Sequence, residues 1–537
     1  MLVEPHTATR AIFVRVSTTR LARIATTYAV MLSAVAAFAA DEITPAENSD
    51  ETAVETERVY LAIRTDGKPG SGTESDPFDA STAAKFDALM MRFAHAHFGS
   101  YANGEFVHAK PIAIHLGRGI FETAALSDYG PHTGGPFATQ HWLGKGWSLR
   151  GAGMHETEIR NVNPSSGGVW MFNSMGGTWG GPETGEITIA DLTLNPQKSA
   201  HEDSRQYEAV ITSADGRTTA ARRENHGWRV GTRIEITGEN YNGPNGSWDG
   251  GAWKLITAVT PDTFSWDSKN TLTGAVTVRR VGEWNGTRIN GASNRVDRVR
   301  VIDAGANSLA ETWPLWVGGD DLIIDGCVVE RCSGIMSAIG AFPGKNRTIR
   351  NCLVDGEGCA AVLAITAVEH AEKNTIRNVT HAVYADTFSS TTPIHIRNNE
   401  IENASGGAIL VRPHDHTSNI IVSGNRVRGG PSEVAIWIDP LANWTENEWR
   451  NAKGEKIWLQ NIVISHNDLD EKRIEVAQAR DVTIIDNVAG FGVFYRMAEP
   501  PVVSGNKTPA GEVPLGLGRS FVNESQPTVP EQSPDTR

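Results

Sequence analysis

Asp386, Arg412 and Asp439 stand 26 and 27 residues apart, each at the end of a short apolar run. Two places before them come Tyr384, Leu410 and Trp437, and just past Arg412 lies His414-Asp415-His416. These types can do chemistry together. An arginine can clamp a substrate carboxylate in a bidentate fork. Tyr384 and Trp437 can stack on sugar rings, which offer a flat apolar face. His414 or His416 can act as acid or base near neutral pH, or ligate a metal. On three adjacent strands, the two carboxylates would sit about 9–10 Å apart. That is at or slightly beyond the upper end for inverting glycosidases, about 6.5–9.5 Å, and too wide for a retaining pair. Such a stack also has a purely structural use, since opposite charges on neighbouring strands add about 0.2–1 kcal/mol each.

The elements that must position these residues come from a repeat. Ile396-Arg397-Asn398-Asn399-Glu400-Ile401 shares an apolar-x-x-Asn-x-apolar frame with Val422 to Val427 and Ile464 to Leu469. The frame returns with Cys in the Asn slot at Ile324 to Val329 and Ile349 to Val354, and more weakly around Ile376, Ile484 and Val503. The slots lie 25 residues apart from Cys327 to Cys352, 26 from Asn399 to Asn425 and 20 from Asn467 to Asn487. A gap of 42 after Asn425 implies a loop insertion around Leu441 to Lys456. Units this short cannot bury their apolar faces alone, so they must stack. An Asn repeated at one bend can bond the rungs above and below. Neither a helical period nor a leucine ladder is present, which excludes ankyrin-like and leucine-rich arrays.

On these residues the chain resembles the right-handed parallel β-helix, pectin-lyase-like superfamily typified by pectate lyases. Val59-Tyr60-Leu61-Ala62, Ile112 to Leu116 with Gly119-Ile120-Phe121, and Trp147 to Gly153 with Thr157-Glu158-Ile159 resemble its opening coils. The resemblance covers roughly residues 58–199 and 293–506. It implies an all-β fold: a single-stranded right-handed parallel β-helix solenoid. It also implies that the strand following each Asn turn and its loop lines the substrate face. Aligning Ala382 to Asp386 with Ala408 to Arg412 and Ala435 to Asp439 sends Val383, Ile409 and Ile436 inward. Tyr384, Leu410 and Trp437 then form one outward column. Asp386, Arg412 and Asp439 form the next, to which the following coils add Glu475 and then Tyr495 or Arg496. By the same resemblance Arg412 is either a clamp or the base of a β-elimination. No enzyme family is matched: Pro440 stands where a pectate-lyase signature resembling Trp437-Ile438-Asp439 has His, and Arg412-Pro413 only echoes its Arg-Pro pair. Asp320-Asp321 resembles the paired Asp of polygalacturonases, without their Arg-Ile-Lys pattern, and reads as turn residues.

Composition and the chain ends set the context. With 54 Gly in 537 residues, turns and short strands are favoured over long helices. A net charge of -14 argues against nonspecific nucleic-acid binding. Residues 1–39 carry basic residues to Arg23, then an apolar stretch ending Ala37-Phe38-Ala39, the order of a secretory signal peptide. Their Arg, Ser and Thr content also suits an organellar transit peptide. No later segment has the length of a membrane span. Residues 40–57 read as an acidic linker, 58–199 as N-terminal cap and first coils, 200–292 as an inserted small β-module, 293–506 as the main coils and 507–537 as a disordered tail. Phe86, Leu89, Met90 and Phe93 predict an amphipathic helix capping the solenoid's open end. His95 and His97 beside it read as surface side chains. In the module, Trp248, Trp253 and Trp266 form either a small core or a sugar-stacking surface. Cys327 with Cys352, and Cys332 with Cys359, form either disulfides across neighbouring rungs or buried thiols.

The sequence therefore predicts a secreted, periplasmic or cell-surface β-helix protein acting on a polysaccharide or cell-surface glycan, as a polysaccharide lyase or glycoside hydrolase. Its catalytic candidates are Asp386, Arg412 and Asp439. Its substrate-binding candidates are Tyr384, Trp437, His414, Asp415, His416 and Glu475. The alternative is a non-catalytic glycan-binding, adhesive or structural protein on the same scaffold. No motif specifies a cofactor or metal, and calcium stays open.

Overall fold

The computed structural model describes residues 56–508, apart from internal stretches of which 125–140, 175–183 and 238–252 are the longest, together with Leu517–Gly518. Residues 1–55 and most of residues 509–537 lie outside the described residues, as do Asp386, Cys359 and Trp248, and with them the expected signal segment, nearly all of the expected linker and most of the expected tail.

One coil shows how the sequence builds the solenoid. Ile394–Arg397 runs to the Asn398-Asn399 bend, Glu400–Glu402 follows, and a loop leads to Ile409–Val411 before Thr417–Ser423 opens the next coil. Strand alternation points Ile394, Ile396, Ile401, Ile409 and Val411 inward, and all are buried in one continuous core. Full burial of each such side chain contributes about 1.5–3 kcal/mol. Every strand pairs in parallel with its counterpart one coil on: Ile396 with Val422, Ile401 with Val427, Ile409 with Ile436. The strands before and after the bend belong to a first sheet. A second, of 13 strands among the described residues, runs from His141–Leu143 to Leu517–Gly518.

The bend explains the Asn repeat. A residue in the left-handed region precedes each slot: Asn351, Lys373, Asn398, Gly424, His466, Asp486 and Gly505. Local turning there exposes backbone groups that the next side chain must satisfy. Each Asn does so for two rungs. Asn425 Oδ1 accepts both Asn399 N–H and Asn399 Nδ2, at 3.0 and 2.9 Å. Asn425 Nδ2 donates to Ile396 O and Asn467 Oδ1, both at 2.9 Å. The ladder runs unbroken through Asn374, Asn399, Asn425, Asn467, Asn487 and Asn506. Cys352 continues it, its N–H donating to Asn374 Oδ1 at 2.9 Å. Cys327 and Cys352 are buried free thiols that fill ladder slots without a disulfide, and Cys332 is buried beside them in the chain. Burial pushes the Cys327 thiol well above its ordinary range, with neighbouring Cys352 adding to the effect.

The helix spans Ala83–His97, its first turn capped by Thr82 Oγ1 accepting Lys85 N–H at 3.4 Å. Phe86, Met90 and Phe93 join the coil core, and Phe86 meets Phe121 and His141 at ring distances of 6.0 and 5.7 Å. His95 is exposed, but His97 is not a surface residue: it is buried, with Nδ1 3.1 Å from Lys110 O. Between Gln206 and Arg280 six antiparallel strands close into a barrel around Ile234, Ile236, Phe264 and Trp266. Trp266 thus belongs to the barrel's own core rather than to a sugar-stacking surface. Deep in the main solenoid Arg347 and Glu369 form an ion pair at 1% and 0% exposure, the guanidinium also donating to Ala341 O at 2.6 Å. Asp320 and Asp321 are turn residues, accepting from Lys345 N–H and Asn346 Nδ2 one rung on.

Candidate functional site

Among the described residues the second sheet carries Tyr384, Leu410, Trp437 and Glu475 in one outward column. Tyr384 pairs in register with Leu410, and Leu410 with Trp437. Val383, Ile409 and Ile436 face the core beneath them. The outward column continues in both directions. Below Tyr384 come Thr366, Gly340, Trp316, Arg288 and Asn173; above Trp437 come Glu475 and Phe494.

Two placements differ from the sequence reading. Glu475 pairs with Trp437, so it stands in the aromatic column and not in that of Arg412 and Asp439. The cause is a one-residue irregularity between Val434 and Ile436, which sets Ile474 level with Ile436. Tyr384 and Leu410, though outward, are buried in a small satellite cluster with Leu363, with Trp437 packed against its edge. Of the two proposed stacking rings, Trp437 is therefore the accessible one.

Arg412 and Asp439 lie next to each other, joined by a two-pronged ion pair. Arg412 Nε donates to Asp439 Oδ1 at 2.7 Å and Nη2 to Oδ2 at 3.0 Å. Asp439 is 2% exposed and Arg412 24%, so the carboxylate is enclosed while the arginine side chain is partly exposed. The guanidinium carbon sits 5.4 Å from the Trp437 ring centre. One strand on, Arg473 bonds Glu475 at 2.6 Å and Glu433 at 2.9 Å, and lies 5.0 Å over Phe494. In the loop after Arg412, Asp415 Oδ1 accepts His416 N–H at 2.8 Å, and His416 Nδ1 accepts Trp458 N–H at 3.2 Å. His416 thus ties this loop to the next coil. His414 lies in the same loop, part-buried. Tyr495, part-buried, pairs with Val476 one rung before the end of the described sheet. Among the described residues no group of three or more His, Cys, Asp or Glu is placed to hold a metal ion.

Repeat spacing alone did not reveal the lower half of the same face. There Trp170, Arg288, Trp313 and Trp316 gather on strands Val169–Ser174, Glu283–Ile289 and Leu315–Val317 and the turn before the last. Their sequence signal, a Trp-rich set flanking the insert, is scattered over about 150 residues.

Residues 360–508 match the family model described as right handed beta helix region. No curated protein matches. Among solved structures, the chain is similar to a family 28 exopolygalacturonase of Yersinia enterocolitica, at 9% identity and TM-score 0.38, covering 86% of this chain and 79% of that one. It is also similar to PfbA, a surface adhesin of Streptococcus pneumoniae, at 10% identity and TM-score 0.41, covering 84% and 91%. A third is the A-module of mannuronan C-5 epimerase AlgE4 of Azotobacter vinelandii, at 12% identity and TM-score 0.37, covering 86% and 100%. These proteins are unlike in activity, and none assigns this chain a chemistry. Among the described residues no helix is long and apolar enough to cross a membrane. With its parallel coils and, over residues 360–508, its match to that family model, this chain folds as a right-handed parallel β-helix.

Proposed function

We propose that this is a carbohydrate-active protein, carried out of the cytoplasm by its N-terminal segment, whose second sheet holds an extended glycan along its outer face. The observation that carries this reading is the outward column itself. Over successive rungs it runs Arg288, Trp316, Gly340, Thr366, Tyr384, Leu410, Trp437, Glu475 and Phe494, with Arg288, Trp437, Glu475 and Phe494 part-exposed, in an order no stacking rule requires. Unlike side chains in file suit a chain of sugars, each offering rings and hydroxyls at a similar pitch.

Within that reading the protein is a polysaccharide lyase or glycoside hydrolase working at Arg412 and Asp439, with Asp386 on the preceding coil. Partly exposed Arg412 would meet a substrate carboxylate or carbonyl-derived oxyanion. Enclosed Asp439 would hold the guanidinium in place. A second reading, a non-catalytic glycan-binding or adhesive face, is favoured by the same ion pair, because both ends of Asp439 are already engaged.

A panel of polysaccharides separates them, read by absorbance at about 235 nm for unsaturated products and by reducing ends. Arg412→Lys keeps a cation beside Asp439 but removes the fork. An enzyme of this kind should lose turnover by about 100-fold or more while its circular dichroism stays unchanged. Wild-type turnover in that variant removes Arg412 from the mechanism. Glycan affinity without any product selects the binding reading.

A further inference from the structure

On the lower half of the outer face, five strands below Leu410, Arg288 is held without a counter-ion among the described residues. Its guanidinium carbon lies 4.9 Å from the Trp316 ring centre and 5.9 Å from that of Trp170. The two indoles meet edge to face at 6.0 Å, and Trp313 braces Trp316 at 4.3 Å. Arg288 Nε is buried with no hydrogen-bond partner, and no carboxylate among the described residues pairs with this arginine. Burial alone pulls its pKa down to about 10. Three residues earlier on the same strand, level with Trp170, Asn285 is 0% exposed with neither its amide oxygen nor its nitrogen hydrogen-bonded.

Every other outer-face arginine described above has an acid: Arg412 has Asp439, and Arg473 has Glu475 and Glu433. A desolvated guanidinium without an acid is costly, as is a buried amide with nothing to bond. Both costs fall when an anion bearing hydroxyl groups arrives. The indole rings add an apolar wall for the face of a pyranose.

We propose that Arg288, Trp170, Trp316 and Asn285 form an anionic-sugar subsite, taking a pyranose that bears a carboxylate or a sulfate. Arg288 meets the anion, the two indoles hold the ring, and Asn285 supplies a donor and an acceptor. The subsite lies about 24 Å from the Arg412 level at the ordinary strand spacing, so one glycan of about five sugars can span both. It rests on the reading that this face takes a glycan.

The test titrates the full chain with a hyaluronan tetrasaccharide (carboxylate), a carrageenan tetrasaccharide (sulfate) and cellotetraose (neutral), followed by tryptophan fluorescence and calorimetry. At least one anionic tetrasaccharide should bind about tenfold tighter than cellotetraose, and which one tells carboxylate from sulfate. Arg288→Gln should remove that tenfold preference, bringing the anionic tetrasaccharide to within about twofold of cellotetraose measured on the same variant. Arg288→Lys, which keeps the charge, should retain part of it and serves if the Gln variant does not fold. Anion preference that survives Arg288→Gln makes the arginine a brace for the tryptophans and overturns the subsite. If cellotetraose binds and Arg412→Lys weakens it while both Arg288 variants behave as wild type, the glycan face stands and this subsite falls. If wild type binds none of the three, both fall.

Discussion

Two edges of the same coils follow opposite rules. At the bend of the first sheet one residue type recurs rung after rung, and every Asn from 374 to 487 bonds its neighbour through the same atoms. On the outer face of the second sheet neighbouring rungs seldom match: Arg288, Trp316, Gly340, Thr366, Tyr384, Leu410, Trp437, Glu475. Repetition is what stacking identical units requires, because a group that satisfies the rung above must be satisfied by the rung below. Variation at a fixed position means that something other than the neighbouring rung sets the side chain. The bend is therefore architecture and the face is the place to look for a ligand.

The contrast breaks most visibly inside the coils. Glu369→Gln leaves the Arg347 guanidinium buried without its charge partner, so it should cost about 3–5 kcal/mol in urea unfolding. The double variant Arg347→Met, Glu369→Leu removes both charges and should recover most of that loss. A single-variant cost under about 1 kcal/mol would mean that water reaches the pair, and the division between interior and face would weaken.

Next comes the ladder. Asn425→Ala strips partners from Asn399 N–H, Asn399 Nδ2 and Ile396 O at once. At about 1–3 kcal/mol for each unsatisfied buried group, reduced where water enters, the expected loss is about 3 kcal/mol. Amide exchange should quicken at Asn399. Protection unchanged there would show that the bend holds without its side chains.

The fold was legible because its device is periodic. Asn399, Asn425 and Asn467 announced the coil, and Cys327 and Cys352 were visible as the same slot differently filled. Asn374 and Asn506 were blurred because their frames carry Ala371 and Thr508 where an apolar branched residue is expected. The Arg347 and Glu369 pair has a rung-like spacing of 22 that could have exposed it, but charges in an apolar run read first as surface. Glu475 was assigned by its charge to the column of Arg412, and only the strand irregularity at Val434 shows where it stands. The Arg288 group was hidden for a different reason. Trp170 and Arg288 are separated by the inserted barrel, so a contact between adjacent rungs spans more than a hundred residues of sequence.

A smaller effect tests whether repetition on an outward surface can also be architecture. His370 and His395 pair in register on the first sheet, with ring centres 5.0 Å apart. Glu369, Glu372 and Arg397 are the charged groups acting on them. Burial is the leading cause holding both imidazoles below the usual histidine pKa; for His395, Arg397 and His370 add to it. The unfolded chain takes up their protons near pH 6.5, while the folded chain resists until lower pH. Their contribution is thus complete above about pH 6.5 and is lost as pH falls toward the folded values. Urea midpoints at pH 7.5 and pH 5.5 should differ more for wild type than for His370→Asn, His395→Asn, with the wild type weakening on acidification. An equal drop in both proteins would assign the acid sensitivity elsewhere. A reduced drop would show a stacked, repeated pair outside the core behaving as the ladder does, its environment set by the neighbouring rung and not by a ligand.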